Sequence, residues 1–208
     1  MDTFAAIADE RRAVADMLSG LTPEQQGTPS LCRGWSVHDV AAHLLMPLQV
    51  GMPMFLLTML VCRGDFDRAN DRLTRRQARR PFDEIVDMLR QRAGSRFTPP
   101  GSGPEAPLTD LLVHGLDVRW PLGLRCDLPE DRVLTSLAFL TSRSARGLVA
   151  DGTLDGLRFE ADDVDWTHGR GPTVSGPAEA LLLALTGRGA ALGALAGEGV
   201  PVLRARLR

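Results

Sequence analysis

Apolar residues recur at the spacing of an α-helix through most of the first 150 residues. The start and stop signals around these stripes predict a series of helices. The first covers residues 3–20, a short turn follows Thr22, and Ser36 and Asp39 open the next helix. Further helices are predicted over 65–79, which is rich in arginine, after Pro81, from Pro107 to before Pro121, and from Pro129 through Leu148. The helix after Pro81 is predicted to bury Phe82, Ile85, Val86 and Leu89. A four-helix bundle is the natural packing for such a set.

The pattern changes after about residue 152. Short alternating runs at 157–161 and 164–167 predict two strands, with a turn at 169–172. An apolar helix then follows Pro177 through Leu185, a helical pattern resumes at 190–195, and residues 200–207 alternate like a closing strand. The chain is therefore predicted to be mainly α, with a helical bundle domain over residues 1–150 and a small α+β subdomain over 151–208.

Residues 44–61 contain no charged side chain and approach the length of a membrane span. Pro47 and Pro53 interrupt this stretch, and four methionines give it an adaptable surface. We expect it to continue the helix opened by Ser36, kinked at the prolines. Burial in the bundle, or packing against a partner chain or a ligand, is favoured over a membrane-associated helix.

Composition narrows the possible chemistry and partners. The net charge is −2, and the arginine cluster near residues 68–80 is interspersed with aspartates, so it is interpreted as a solvated helix face rather than a nucleic-acid site. The chain has no lysine and no tyrosine, which excludes a Schiff-base lysine and a tyrosine acid. Cys32, Cys62 and Cys126 are far apart, and the N-terminus is not a secretory signal, so a reducing cytoplasm is predicted.

One pair of residues carries the strongest chemical signal. Asp110 and His114 are four residues apart within an apolar frame, so a helix would place them on one face about one turn apart. His43 lies in similarly apolar surroundings. Two imidazoles and one carboxylate form a ligand set for a divalent metal, preferably zinc, with positions left open. The alternative is that His114 pairs locally with Asp110 and binds no metal.

Residues near these three have two interpretations each. Asp117 shares the face of His114 and would either orient its imidazole or bind Arg119 or a helix end. Arg119 would bind a substrate carboxylate, or its positive charge would stabilise the C-terminal end of a helix. Asp39 would support His43 or cap the helix. His38 is predicted to face solvent, Trp35 and Trp120 to be core or pocket wall, and no role is given to His168 or to the cysteines.

Three motifs make the chain similar to a known family. They are Gly34–Leu44 (GWSVHDVAAHL), His114–Gly123 (HGLDVRWPLG) and Val174–Arg188 (VSGPAEALLLALTGR). In this order they resemble the mycothiol-dependent maleylpyruvate isomerase family, which belongs to the DinB-like metal-binding bundles. The resemblance implies a four-helix bundle with a small α+β C-terminal part.

The resemblance also implies metal ligands at His43, Asp110 and His114. The isomerase has glutamate at the position of Asp110. This difference weakens the inference of isomerase activity more than the inference of metal binding.

The leading hypothesis is a cytoplasmic, metal-dependent enzyme in which mycothiol or a similar small thiol attacks an electrophilic small molecule. Its outcome would be thiol transfer or cis-trans isomerisation. A non-catalytic metal-binding or small-molecule-binding protein of the same fold is the alternative. No nucleic acid or membrane is expected as a partner, and the chain is expected to be a monomer or a homodimer.

Overall fold

The fold was analysed in a computed structural model that describes residues 2–125, 127–145 and 147–207. Ten α-helices and three strands are assigned within these ranges. They are α1 (Thr3–Ser19), α2 (Pro23–Gln26), α3 (Val37–Gln49), α4 (Met52–Val61), α5 (Phe66–Gln77), α6 (Phe82–Gln91), α7 (Glu105–Leu122), α8 (Glu130–Leu140), β1 (Arg158–Ala161), β2 (Thr167–Gly169), β3 (Thr173–Gly176), α9 (Ala178–Leu185) and α10 (Val200–Arg206). The prediction of a mainly helical chain with a small α+β C-terminal part is confirmed.

Contacts divide the chain into two compact units, and α7 supplies residues to both. The N-terminal unit comprises residues 2–98 and 117–124. Within it α3 packs against α5 and α6, α1 packs against α6, and α4 packs against α5. The residues of α6 that face this core are the four predicted from the sequence, Phe82, Ile85, Val86 and Leu89.

The C-terminal unit comprises residues 99–116 and the described residues from 125 onward. Its sheet has the order β2-β1-β3, with β1 antiparallel to β2 and parallel to β3. Helix α9 packs against β1, β3 and α8, and Phe159 of β1 is fully buried. The division of the chain at residue 150 stays a prediction.

The predicted kinked helix after Ser36 is instead two separate helices. Helix α3 continues past Pro47 to Gln49, Val50 is extended, and α4 begins at Met52 with Pro53 in its first turn. Proline favours the first turn of a helix because it has no N–H to leave unsatisfied there. No single described helix could cross a membrane by length and hydropathy. Helices α3 and α4 reach that length only as a pair bent by 119°.

Burial of the whole 44–61 stretch in the bundle was a wrong prediction. The α3 portion up to Met46 is buried, but on α4 only Thr58 is. Leu56 and Leu60 are 59% and 77% exposed. The other interpretation of this stretch, packing against a partner chain or a ligand, stays a prediction.

The bounds of α7 also differ from the prediction, because the helix starts at Glu105 and continues through Pro121. Pro121 cannot donate to the carbonyl of Asp117, four residues earlier. The backbone N–H of Leu31 donates to that carbonyl instead, at 3.2 Å. This replacement donor compensates for the proline, so the helix does not end before it.

Helix α8 ends at Leu140, well before the predicted Leu148. The hydroxyl of Thr141 donates to the carbonyl of Leu137, and the hydroxyl of Ser142 donates to that of Phe139. Side-chain donors of this kind satisfy the last carbonyls of a helix and compete with its continuation. A 3₁₀ turn at Arg143–Ala145 follows, and residues 126 and 146 lie outside the described ranges.

The second strand was predicted three residues too early, since β2 is Thr167–Gly169, and the predicted closing strand was wrong. Residues 162–165 form the bend between β1 and β2, and the carboxylate of Asp163 there accepts from the N–H of Ala178 at the start of α9. Residues 200–206 are helical rather than extended. Their two buried residues, Val200 and Leu203, are three apart, a spacing that suits one face of a helix. Strand β3 was not predicted.

Candidate metal centre

His43 lies in the second turn of α3 and is 8% exposed. The helix begins with the predicted capping box, in which the hydroxyl of Ser36 accepts from the N–H of Asp39 and the carboxylate of Asp39 accepts from the N–H of Ser36. The structure therefore shows Asp39 capping α3. A role for Asp39 in supporting His43 stays a prediction.

Two side chains hold the imidazole of His43. The hydroxyl of Thr74 on α5, itself fully buried, lies 3.4 Å from Nδ1 of His43. The indole ring of Trp35 lies 5.0 Å from the imidazole, tilted by 41°. A metal-binding histidine usually has one ring nitrogen held by a hydrogen bond. Since Nδ1 is engaged by Thr74, Nε2 is the nitrogen suited to bind an ion.

Asp110 and His114 lie one turn apart on α7, as their spacing predicts. Oδ1 of Asp110 is 3.4 Å from Nε2 of His114. The imidazole is 8% exposed, and the carboxylate side chain is 35% exposed. The local pairing that was the alternative to a metal is therefore present in the structure.

His43, Asp110 and His114 also converge. Each offers one ligand atom, and these atoms lie within 4.8 Å of one another. Bonds from zinc to nitrogen or to a carboxylate oxygen are about 2.0–2.2 Å long. Atoms at these separations fit around one ion after small side-chain movements, so the donor set suits a divalent metal.

The contact between Cys32 and Asp117 was not predicted from the sequence. Asp117 is fully buried, and its Oδ2 accepts from Sγ of Cys32 at 3.2 Å. Cys32, His114 and Asp117 form a second set of ligand atoms within 4.8 Å of one another. Asp117 thus has a partner that neither of its predicted roles included. No motif around Cys32 could have indicated it, because the two residues are 85 positions apart.

Two other candidate residues, His38 and Arg119, lie in surroundings that the structure describes. His38 is not solvent-facing as predicted: its Nε2 lies 3.2 Å from the carbonyl of Arg80, and its ring packs edge-on against Phe82. Arg119 is half-buried, and its Nη1 is buried with no hydrogen bond to the described residues. It lies five residues after His114, about 140° around the helix. A substrate role for Arg119 stays a prediction.

Trp35 is held in turn by α5. Its Nε1 donates to Oδ1 of Asp71 at 2.9 Å, and Nε of Arg75 donates to Oδ2 of Asp71 at 3.0 Å. Burial raises the pKa of Asp71, but the hydrogen bonds from Trp35 and Arg75 and the charge of Arg75 together hold that pKa below its usual value. This network fixes the indole that packs on His43.

The lowered pKa of Asp71 predicts a small acid sensitivity. A carboxylate whose pKa is lower in the folded state stabilises that state above its unfolded pKa, and this stabilisation is lost as the pH falls through the folded pKa. We expect Asp71→Asn to lose less stability than the parent chain below about pH 3.8. Since the side chain is 43% exposed, the difference should be only about 0.2–1 kcal/mol.

Urea unfolding at pH 5 and pH 3 measures this difference. Asp83→Asn is the matched control, because Asp83 is an exposed carboxylate without a hydrogen bond or ion pair among the described residues. Equal acid sensitivity in all three proteins would contradict the proposed role of the network.

Comparisons with known proteins agree with the motifs. Residues 7–51 match the family model described as the mycothiol maleylpyruvate isomerase N-terminal domain, and this range contains both the capping box and His43. The crystal structure of the mycothiol-dependent maleylpyruvate isomerase superposes with a TM-score of 0.58 at 17% identity, covering 95% of this chain and 96% of that one. The structure of its histidine-to-alanine mutant superposes with a TM-score of 0.57, with the same identity and coverage.

At 17% identity, the structural likeness shows a shared fold. No curated protein sequence is significantly similar to the chain. The match over residues 7–51 and the shared fold together confirm that this chain resembles the mycothiol-dependent maleylpyruvate isomerase family.

Proposed function

We propose that this protein is a metal-dependent enzyme in which a small thiol, mycothiol or a close equivalent, attacks an electrophilic small molecule. The reaction is thiol transfer, or cis-trans isomerisation through reversible addition of the thiol. The observation that carries the proposal is the convergence of His43, Asp110 and His114 within 4.8 Å. The family match over residues 7–51 supports the choice of mycothiol.

His43, Asp110 and His114 would hold the ion, which we propose to be zinc. Three protein ligands leave coordination positions open, which is typical of catalytic rather than structural zinc sites. When bound, the ion would stabilise the deprotonated thiol at neutral pH and would hold it in a fixed position. Asp110 is one methylene shorter than the glutamate of the isomerase. For this reason we propose isomerisation as one of two outcomes rather than as the single reaction.

The chain's own residues orient the imidazole of His43. Thr74 holds Nδ1 of His43 and so fixes the rotation of its imidazole. The indole of Trp35 covers part of that ring, and Asp71 fixes the indole. Such positioning matters because a reactant held in the correct geometry reacts far faster than one that diffuses freely.

Cys32 and Cys62 are not joined in a disulfide, which favours a reducing compartment such as the cytoplasm. We propose that the protein acts there as a monomer or homodimer on small molecules.

The test has two steps on the full-length chain. Elemental analysis of the purified protein first measures metal per chain. The metal-loaded protein is then incubated with mycothiol and a panel of electrophiles that includes maleylpyruvate, while thiol consumption and isomer ratio are followed. We expect turnover that requires both thiol and metal. A full metal site without turnover on any electrophile would instead identify a non-catalytic binding protein of the same fold.

A further inference from the structure

A large cleft lies between α4 and α5, within the N-terminal unit. Its volume is about 1020 Å³, which is sufficient for a small organic ligand. One wall is apolar: Met54, Leu57 and Val61 line it from one face of α4. These side chains are 38%, 54% and 56% exposed. Large apolar side chains that line a cleft and stay exposed indicate that something covers them.

The other wall, on α5 and the residues just after it, is strongly basic. Five arginines line the cleft against two aspartates, namely Arg68, Arg72, Arg75, Arg76 and Arg79 against Asp67 and Asp71. Among the described residues, Arg75 forms an ion pair with Asp71, whereas the other four arginines form none. Nη1 of Arg76 donates to Sδ of Met54, at 3.7 Å. The cleft therefore carries cations without matching anions.

We propose that this cleft binds a free amphiphilic anion, meaning a small molecule with one carboxylate or phosphate group and an aliphatic chain. The guanidinium groups of Arg72 and Arg76 match such an anion because they donate parallel hydrogen bonds from a planar fork. The chain of the ligand lies along Met54, Leu57 and Val61. This site is separate from His43, Asp110 and His114, and it goes beyond the proposed function.

Charge favours this occupant over a second copy of the protein. Two copies that met through this cleft would bring two sets of unmatched arginines together, and like charges in contact disfavour association. An anionic ligand instead neutralises them while its aliphatic part covers the exposed wall. The cleft also has a link to the imidazole site, because Asp71 lines it and holds the indole beside His43.

Isothermal titration of the full-length protein with decyl phosphate, kept below its micelle concentration, tests the proposal. We expect saturable binding of one molecule per chain, with inorganic phosphate and decanol each binding at least about tenfold more weakly. The double variant Arg72→Ala/Arg76→Ala should weaken binding of decyl phosphate by about tenfold or more. Leu57→Ser should weaken decyl phosphate but not inorganic phosphate.

Two controls separate this site from the rest of the protein. Arg90→Ala removes an arginine of α6 that pairs with Asp16, and it should bind decyl phosphate like the parent chain. His114→Ala should do the same, because the cleft does not include the imidazole site. Circular dichroism confirms that each variant is folded.

Three results would overturn the proposal. The first is no saturable binding, or binding that the arginine pair does not affect. The second is binding to phosphatidylglycerol vesicles without binding of monomeric decyl phosphate, which would make the surface a lipid-docking site. The third is a dimer in light scattering that Leu57→Glu dissociates, which would make a second copy the occupant of the cleft.

Discussion

Replacing His114 with alanine is expected to remove the divalent metal from the purified protein, whereas His168→Ala is expected to retain it. The ligand atoms of His114, His43 and Asp110 lie within 4.8 Å of one another. Loss of one of three protein ligands leaves two, and the open positions then pass to water. We expect the metal affinity to fall by more than the 10–100-fold that removal of an outer hydrogen-bond partner typically costs.

His168 is a suitable control because it is a half-buried histidine that lies outside the candidate metal site. It lies on β2, where its ring stacks on Trp166 at 6.3 Å. It belongs to no potential metal-ligand group in the described part of the chain. The two variants thus remove the same side chain from different surroundings, and only one should change the metal content.

Elemental analysis after dialysis against zinc measures the outcome directly. A thermal melt with and without zinc gives a second readout, because a ligand that binds only the folded state raises the melting temperature. This shift should be present in the parent chain and in His168→Ala, and absent in His114→Ala. Stoichiometric metal in His114→Ala would mean that the ligand assignment is wrong.

Local signals in the sequence predicted the helix starts well. Ser36 and Asp39 form the predicted capping box, and the buried residues of α6 are those read from its 3.6-residue period. Both depend on residues within one or two turns of each other, so the chain alone specifies them. The spacing of Asp110 and His114 on α7 was predictable for the same reason.

Features that depend on residues far apart in the chain were not predictable in this way. The donor that lets α7 continue through Pro121 is the N–H of Leu31, which no local pattern around Pro121 reveals. Thr74 is 31 positions away from its partner His43, and Cys32 is 85 positions away from its partner Asp117. Sequence reasoning found the candidate metal ligands partly through the resemblance, but it did not find the groups that hold them.

Hydropathy was the least reliable guide in residues 44–61. It indicates that α4 is apolar, but it does not specify which surface covers the helix. The break at Val50 and Gly51 turns α4 away from the line of α3, and α4 then packs against α5 with most of its large side chains exposed. Three of these exposed residues, Met54, Leu57 and Val61, form the apolar wall of the cleft, so the failed burial prediction points to the proposed ligand.

Thr74→Val should weaken metal binding by about 10–100-fold without unfolding the protein. Valine has nearly the shape of threonine but cannot form the 3.4 Å contact with Nδ1 of His43. The imidazole would then lose the hydrogen bond that fixes its rotation and directs Nε2 towards an ion. Because Thr74 is fully buried, an apolar replacement of similar volume leaves the packing around it intact.

Thr58→Val is the matched control, since Thr58 is a buried threonine on α4 whose hydroxyl donates to the carbonyl of Met54. Competition with a zinc indicator measures affinity in both variants, and urea unfolding measures stability. We expect Thr58→Val to bind zinc like the parent chain, and Thr74→Val to bind more weakly than the parent but more tightly than His114→Ala. If Thr74→Val bound zinc as tightly as Thr58→Val, then the hydroxyl would only fill space, and the imidazole of His43 would be oriented by its packing against Trp35 alone.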